Sequence, residues 1–275
     1  MQFARGMHPV LFRIGSTPIW SHAVFVAFGM LTALVMSWQL AQRHGRASHQ
    51  FIWILCGGLV GAAFVARFGL LPRYLLDART PSVTGYMAYG GRSVLGGLAG
   101  AYLGVVLTKR LIGYTRHTGD LLVPGVALGI AIGRIGCHLA EQPGTATTLP
   151  WGVRVAAPFA ASLRNCAACR AGEAMHPSFL YESLFLLLVG LWLYPYARRS
   201  TFPATWMREG DLFRIFLLLY AAARFLLEFV RGNPVMLFGL SGSQLTVAIP
   251  LLTLPWYFIR NAMNTRSPVS PARGT

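Results

Sequence analysis

The sequence predicts an all-α, polytopic membrane protein with about seven transmembrane helices, an outside N-terminus and a cytoplasmic C-terminus. Three observations carry this prediction. Of 275 residues, 55% are hydrophobic and only 12% charged, and the mean hydropathy is positive, which a soluble domain with a polar surface does not show. Several apolar stretches reach the ~20 residues needed to cross ~30 Å of hydrocarbon. The apolar residues also run continuously, without the ~10-residue alternation of a transmembrane barrel. One domain over residues 1–275 is expected, with no separate soluble domain.

The first span is predicted from Pro18 to Gln42 and the second from Phe51 to Leu71. The third runs from Val94 to Leu111, and the fourth from Leu121 to Leu139. The fifth covers Phe179 to Tyr196, the sixth Leu212 to Val230 and the last Gln244 to Ile259. An odd number of spans places the termini on opposite sides. Lys and Arg between the spans slightly favour a cytoplasmic C-terminus, with Arg43, Arg46, Lys109 and Arg110 at cytoplasmic ends. Met1 to Pro18 lacks the basic, apolar and small-residue regions of a cleaved signal peptide in that order, so the first span is expected to direct insertion. The segment 142–177 is expected to be a long extracytoplasmic loop, and a loop of this length suits a cap over a lipid-facing site.

The formal net charge of +16 is scattered over spans and short loops, with no basic block carrying interleaved aromatics. A membrane surface or anionic headgroup is therefore the expected partner, and nucleic acid is not. Cys56 lies in an apolar span and reads as a small core residue. Cys166 and Cys169 form a lone Cys-x-x-Cys, and Arg170 stands where haem attachment needs histidine. A local disulfide suits an extracytoplasmic loop. No metal and no cofactor is expected from these spacings.

Threading the spans brings the unusual polar residues to one leaflet. Ser21 and His22 open the first span there, Arg67 ends the second and Arg92 precedes the third. Gly133-Arg134-Ile135-Gly136-Cys137-His138 closes the fourth, and His176, Tyr181 and Glu182 begin the fifth. Tyr220, Arg224, Glu228 and Arg231 lead the sixth back to the same face; at about 100° per residue they form one stripe. An ion pair between Arg224 and Glu228 would glue the helix into a bundle, whereas a guanidinium held by a carboxylate and aimed at an anion would be a site. Intramembrane charge is costly, and it favours the second reading for Arg134 and Arg224. Glu182 needs a basic partner, for which Arg134 and Arg224 are candidates. His22, His138 and His176 read first as local hydrogen-bonding residues. Gly90-Gly91 and Gly96-Gly97 bracket the start of the third span and serve either helix packing or backbone contact with a phosphate.

These motifs together resemble the prolipoprotein diacylglyceryl transferase family. Gly133-Arg134-Ile135-Gly136 is similar to the start of its signature, and His176-Pro177-Ser178-Phe179-Leu180-Tyr181-Glu182 to its His-Pro-Ser-Gln-Leu-Tyr-Glu segment. Tyr220 to Arg231 resembles its sixth-span stretch, Leu240 to Leu245 its final-span start, and the paired glycines its third-span start. The resemblance implies an enzyme of the bacterial inner membrane, with phosphatidylglycerol and the lipobox cysteine of a prolipoprotein signal peptide as partners. Diacylglycerol would pass to that thiol and glycerol phosphate would leave. Arg134, Arg224, Glu228, Tyr220 and His138 are the expected catalytic residues. Arg134, Arg231, Glu182, His176, Gly96 and Gly97 are the expected substrate contacts.

The chain departs from the family pattern at defined places. Leu95 stands where the family has a histidine suited to act as base, and Cys137 where it has asparagine. Ala140-Glu141-Gln142 replaces Asn-Gly-Glu, and Ser21 or His22 replaces a tyrosine. His138, His22 or Glu228 could substitute as base. The alternatives are a paralogue that binds or transports anionic lipid, or one that serves another acceptor. An intramembrane hydrolase lacks a serine–histidine or paired-aspartate pattern.

Overall fold

The computed structural model describes residues 8–68, 74–75, 82, 93–141, 143–155, 172–199, 207–233 and 235–266. A hairpin of β1 (Val10–Ile14) and β2 (Thr17–Trp20) leads into α1 (Ser21–Arg43). The helices α2 (His49–Phe68), α3 (Val94–Leu111) and α4 (Gly119–Ala140) follow. Two short strands, β3 (Val153–Arg154) and β4 (Ala174–Met175), pair before α5 (Ser178–Arg198). The chain ends with α6 (Asp211–Leu227), a 3₁₀ turn over Glu228–Val230, the hairpin β5 (Val235–Leu237) and β6 (Leu240–Ser241), and α7 (Gly242–Arg266).

Five of these helices, α1 to α5, are long and apolar enough to cross a membrane. That is consistent with a multi-pass membrane protein. Their limits fall within a few residues of the predicted spans, because an unbroken apolar run fixes a helix well even where its ends fray. The helix α6 is interrupted sooner than expected: the predicted sixth span ends at Val230, but its last turn tightens to 3₁₀ after Leu227. Among the described residues, the three two-stranded sheets were not anticipated by the all-α reading; each strand is only two to five residues long.

The contacts divide the chain into two compact units, one of residues 1–37 with 119–275 and one of residues 38–118. In the second unit α2 and α3 pack through small residues. A Cβ on Gly61 would collide with the Gly100 carbonyl, so the two backbones approach at a distance that only glycine allows. Gly96 and Gly97 belong to this seam, beside Val65 and Ala66, and Ser93 caps α3 by accepting from the Gly96 N–H at 3.0 Å. Cys56, expected in the core, is instead exposed. On a helix apolar all round, periodicity does not separate the packed face from the outward one.

In the first unit α4 is the central element. Its Gly129 meets Gly29 of α1, and its Gly136 lies against His22 and Phe25, where any side chain would collide. On another side, Gly190 of α5 receives Leu128, and Ser183 Oγ donates to the Ala131 carbonyl at 2.7 Å. At its N-terminal end Asp120 accepts from the backbone N–H groups of Gly210 (2.5 Å) and Phe213 (3.0 Å), which fixes the start of α6. Cys166, Cys169, Gly90, Gly91 and Arg92 lie outside the described residues.

Candidate active site

Close packing of α4 against α5 and α6 places Arg134, Glu182 and Tyr220 on facing sides of one buried seam. Arg134 and Glu182 are only 4% and 1% exposed. Arg134 Nη2 donates to Glu182 Oε1 at 2.6 Å, Tyr220 Oη donates to the same oxygen at 3.0 Å, and Arg231 Nη1 donates to Oε2 at 3.1 Å. Both guanidiniums also lie over the Phe179 ring, with centroid distances of 5.5 Å for Arg134 and 4.4 Å for Arg231. A lone carboxylate buried here would be prohibitively costly, and Glu182 is instead met by three donors.

A second pair sits one turn further along α6. Arg224 Nη1 is 2.5 Å from Glu228 Oε2, the i,i+4 pairing expected from sequence. Glu228 Oε1 accepts from Asn233 Nδ2 at 2.6 Å and Ser241 Oγ at 2.7 Å, so the hairpin after the 3₁₀ turn orients this carboxylate. Gln244 secures the hairpin in turn, accepting from the Ser241 N–H at 2.9 Å and donating to the Phe225 carbonyl at 3.3 Å. Arg224 Nη2 donates to Ser243 Oγ at 3.3 Å.

The cluster is not charge-balanced. Among the described residues, three guanidiniums, Arg134, Arg224 and Arg231, face two carboxylates, Glu182 and Glu228, which leaves one positive charge in excess. Burial, and then the neighbouring Arg224 and Arg134 guanidiniums, lower the Arg231 pKa to about 10; it remains charged at neutral pH. Among the described residues, the buried Nε of Arg134 has no hydrogen-bond partner. An unmade bond of a buried charged donor costs upwards of about 1–3 kcal/mol, which an arriving anion would recover. The arrangement can therefore take up a phosphate-like anion and stabilise charge that develops on it.

The other predicted residues fall around this core. His176 does not touch the arginines; its Nδ1 lies 3.3 Å from Tyr181 Oη, which also accepts from Trp151 Nε1 at 2.8 Å. The loop carrying His176 is tied to the site through its backbone. Gly144 N–H donates to the His176 carbonyl, His176 N–H to the Thr145 carbonyl, and Thr145 N–H to the Val230 carbonyl, each at 2.8 Å. Val230 immediately precedes Arg231, so the loop holds that arginine's backbone in place. His138 is buried on α4 but takes no part in the network. His22 instead approaches Glu141, at 3.2 Å, and Cys137 Sγ, at 3.7 Å. Gly96 and Gly97 sit in the other unit, within the α2–α3 seam.

Sequence reasoning missed Phe179, Asn233 and Ser241. Phe179 had a signal, being an aromatic at the first turn of a span between a proline and a buried carboxylate. Asn233 had none, since a polar residue after a helix end looks like ordinary loop, while Ser241 lay in the Leu240 to Leu245 stretch read only as a span start.

Five helices long and apolar enough to cross a membrane are consistent with a membrane protein, and the buried arginine–carboxylate cluster has the charge to take up an anionic group. A family model for prolipoprotein diacylglyceryl transferase matches residues 9–260, and the chain belongs to that family. Three relatives are named phosphatidylglycerol–prolipoprotein diacylglyceryl transferase. The one from Clostridium tetani is 28% identical over 83% of this chain and 87% of its own length. That from Synechococcus elongatus is 29% identical over 91% and 87%, and that from Thermotoga maritima 28% over 88% and 80%.

Proposed function

We propose that this chain is a phosphatidylglycerol-dependent diacylglyceryl transferase that modifies the lipobox cysteine of a prolipoprotein. The observation that carries the proposal is the surplus guanidinium charge around Glu182, with Arg134 Nε left unpaired. In this reading α6 and α7 cross the bilayer with the other five helices. The N-terminus lies outside, the C-terminus is cytoplasmic, and the residues form one domain of a bacterial inner-membrane protein. The described parts of the predicted loop, residues 143–155 and 172–177, lie at the outer face.

The reaction joins the acceptor sulfur to the glycerol methylene of the lipid and breaks that carbon's bond to the phosphate oxygen. The electron pair leaves with glycerol phosphate, and the thiol proton goes to a base. Arg134, Arg224 and Arg231 hold the phosphate and stabilise the charge it gains. Glu182 and Glu228 fix the guanidiniums, and Tyr220 fixes Glu182. His176 orients Tyr181 at the mouth of the fifth span.

Purified protein in lipid bilayers, given labelled phosphatidylglycerol and a lipobox peptide, tests this. Label is expected on the peptide with the intact chain and not with Arg134→Ala or Arg224→Ala. Well-folded protein that retains anionic lipid but never labels the peptide would replace this reading with that of a lipid-binding protein.

A further inference from the structure

Outside the arginine cluster, three chemically competent side chains converge at the junction of α1 and α4. His22 Nδ1 lies 3.2 Å from Glu141 Oε1 and 3.7 Å from Cys137 Sγ, and all three ligand-type atoms lie within 4.8 Å of one another. Gly136 makes this possible, because the Phe25 Cβ and, less closely, the His22 backbone of α1 occupy the space a Cβ would need. Cys137 and Glu141 are one helical turn apart and share a face of α4, while Glu141 continues that turn by donating its N–H to the Cys137 carbonyl at 2.7 Å.

The geometry separates two uses of such a trio. A nucleophile–base–carboxylate relay runs through both nitrogens of the imidazole, one facing the thiol and the other the carboxylate. Here the same atom, Nδ1, faces both partners, so the ring cannot relay a proton between them. Three atoms aimed at one point are the arrangement of a metal site. With metal–ligand bonds of about 2.0–2.3 Å, tetrahedral zinc sets its nitrogen, oxygen and sulfur ligands about 3.3–3.6 Å apart. The observed 3.2 and 3.7 Å bracket that range. Charge also fits: a divalent ion with one thiolate and one carboxylate is neutral. Arg134 Nη1, 4.0 Å from Cys137 Sγ, would then donate towards the thiolate. The sequence spacing hid this set, because His22 comes from a different helix.

We propose that His22, Cys137 and Glu141 bind a zinc-like divalent cation whose fourth coordination position takes the acceptor thiol. The second half of this statement rests on the transferase reading above. Three protein ligands with an open fourth position are the catalytic form of a zinc site, and His22 and Glu141 are 26% and 45% exposed, leaving it accessible. A thiol that coordinates such an ion loses its proton, here to the water it displaces, and becomes the nucleophile. Its sulfur then bonds to the glycerol methylene as the carbon–oxygen bond to phosphate breaks. The leaving glycerol phosphate departs from the arginines beside the metal.

The test uses the full chain in bilayers with Cys56, Cys166 and Cys169 changed to serine, so that Cys137 is the remaining thiol. Cobalt(II) is expected to give a sulfur-to-cobalt charge-transfer band saturating at one ion per chain and displaced by zinc. Cys137→Ser should abolish the band, and the half-exposed Glu141→Gln should weaken cobalt binding by about tenfold or more without loss of folding. No band in the parent chain, or one unchanged by His22→Ala and Glu141→Gln, overturns the site. Chelation should reduce peptide labelling to background and zinc should restore it; labelling that survives removal of the metal overturns the activating role. If the band is present and no condition labels the peptide, the metal site stands, whereas the thiol-activating role and the transferase reading both fall.

Discussion

The two ends of α4 carry polar clusters of opposite character. At Asp120 and Asp211 every carboxylate is met by the protein's own donors. Gly210 and Phe213 N–H groups serve Asp120, while the Arg208 N–H, Arg214 and the Tyr257 hydroxyl serve Asp211. Two acids there meet one paired arginine, and backbone donors make up the difference. About 21 Å further along the helix, Arg134 enters a cluster with more guanidiniums than carboxylates and an unfilled donor. Buried charge alone therefore does not mark a site in this protein. What distinguishes the second cluster is charge that the fold does not balance.

Removing the charge at each end of α4 gives the largest expected effects. Arg134→Ala deletes a donor that the proposed function aims at the departing phosphate, and it leaves Glu182 under-compensated. Peptide labelling is expected to fall by at least about 10²-fold, the usual loss when one such donor is removed. Arg134→Lys keeps the charge but not the fork that serves Glu182 while Nε faces elsewhere, so most of the loss should remain. Initial rates of label transfer, normalised to folded protein, check both. Near-normal transfer by Arg134→Ala would make the cluster structural, like the one at Asp120.

At the other end the expected effect is on stability. Asp120→Asn turns an acceptor of two backbone N–H groups into a side chain that must present its own N–H to one of them. The cost is about 1–3 kcal/mol. A lowered unfolding midpoint, with unchanged labelling by the fraction that stays folded, is the expected result. A specific loss of transfer at full stability would mean that the two ends are coupled through α4.

How much of this was legible in the sequence depends on what kind of interaction was involved. The five apolar helices were, since each is a continuous hydrophobic run. Arg224 with Glu228 was legible from i,i+4 spacing, and Glu182 announced that it needed a basic partner. Arg231 as the second donor to Glu182 was not, because the 3₁₀ turn after Leu227 changes where it points. Nor was the Asn233–Ser241 support of Glu228, which depends on a short hairpin whose apolar strands carry no alternation with polar residues to mark them. The outward exposure of Cys56 was hidden by the uniform apolarity of α2. The convergence of His22 on Cys137 and Glu141 required the crossing of α1 over Gly136, which is a tertiary fact.

Smaller substitutions sharpen the contrast without removing a charge. Tyr220→Phe deletes one hydrogen bond to Glu182 Oε1 while Arg134 and Arg231 remain, so the net loss is about 1 kcal/mol, or roughly fivefold in rate. Its counterpart at the balanced end is Tyr257→Phe, which removes a donor from Asp211 but leaves the ring under the Arg214 guanidinium, 4.4 Å from the ring centre. Arg214 is partly exposed and still pairs with Asp211, so under about 1 kcal/mol of stability should go, with labelling unaltered. The informative outcome is the ratio of the two. A matched pair of hydroxyl deletions that slows transfer at one end and leaves it untouched at the other assigns the chemistry to the charge-unbalanced cluster. Equal effects on rate would show that labelling reports the stability of the bundle, and the claim that imbalance marks the site would fail.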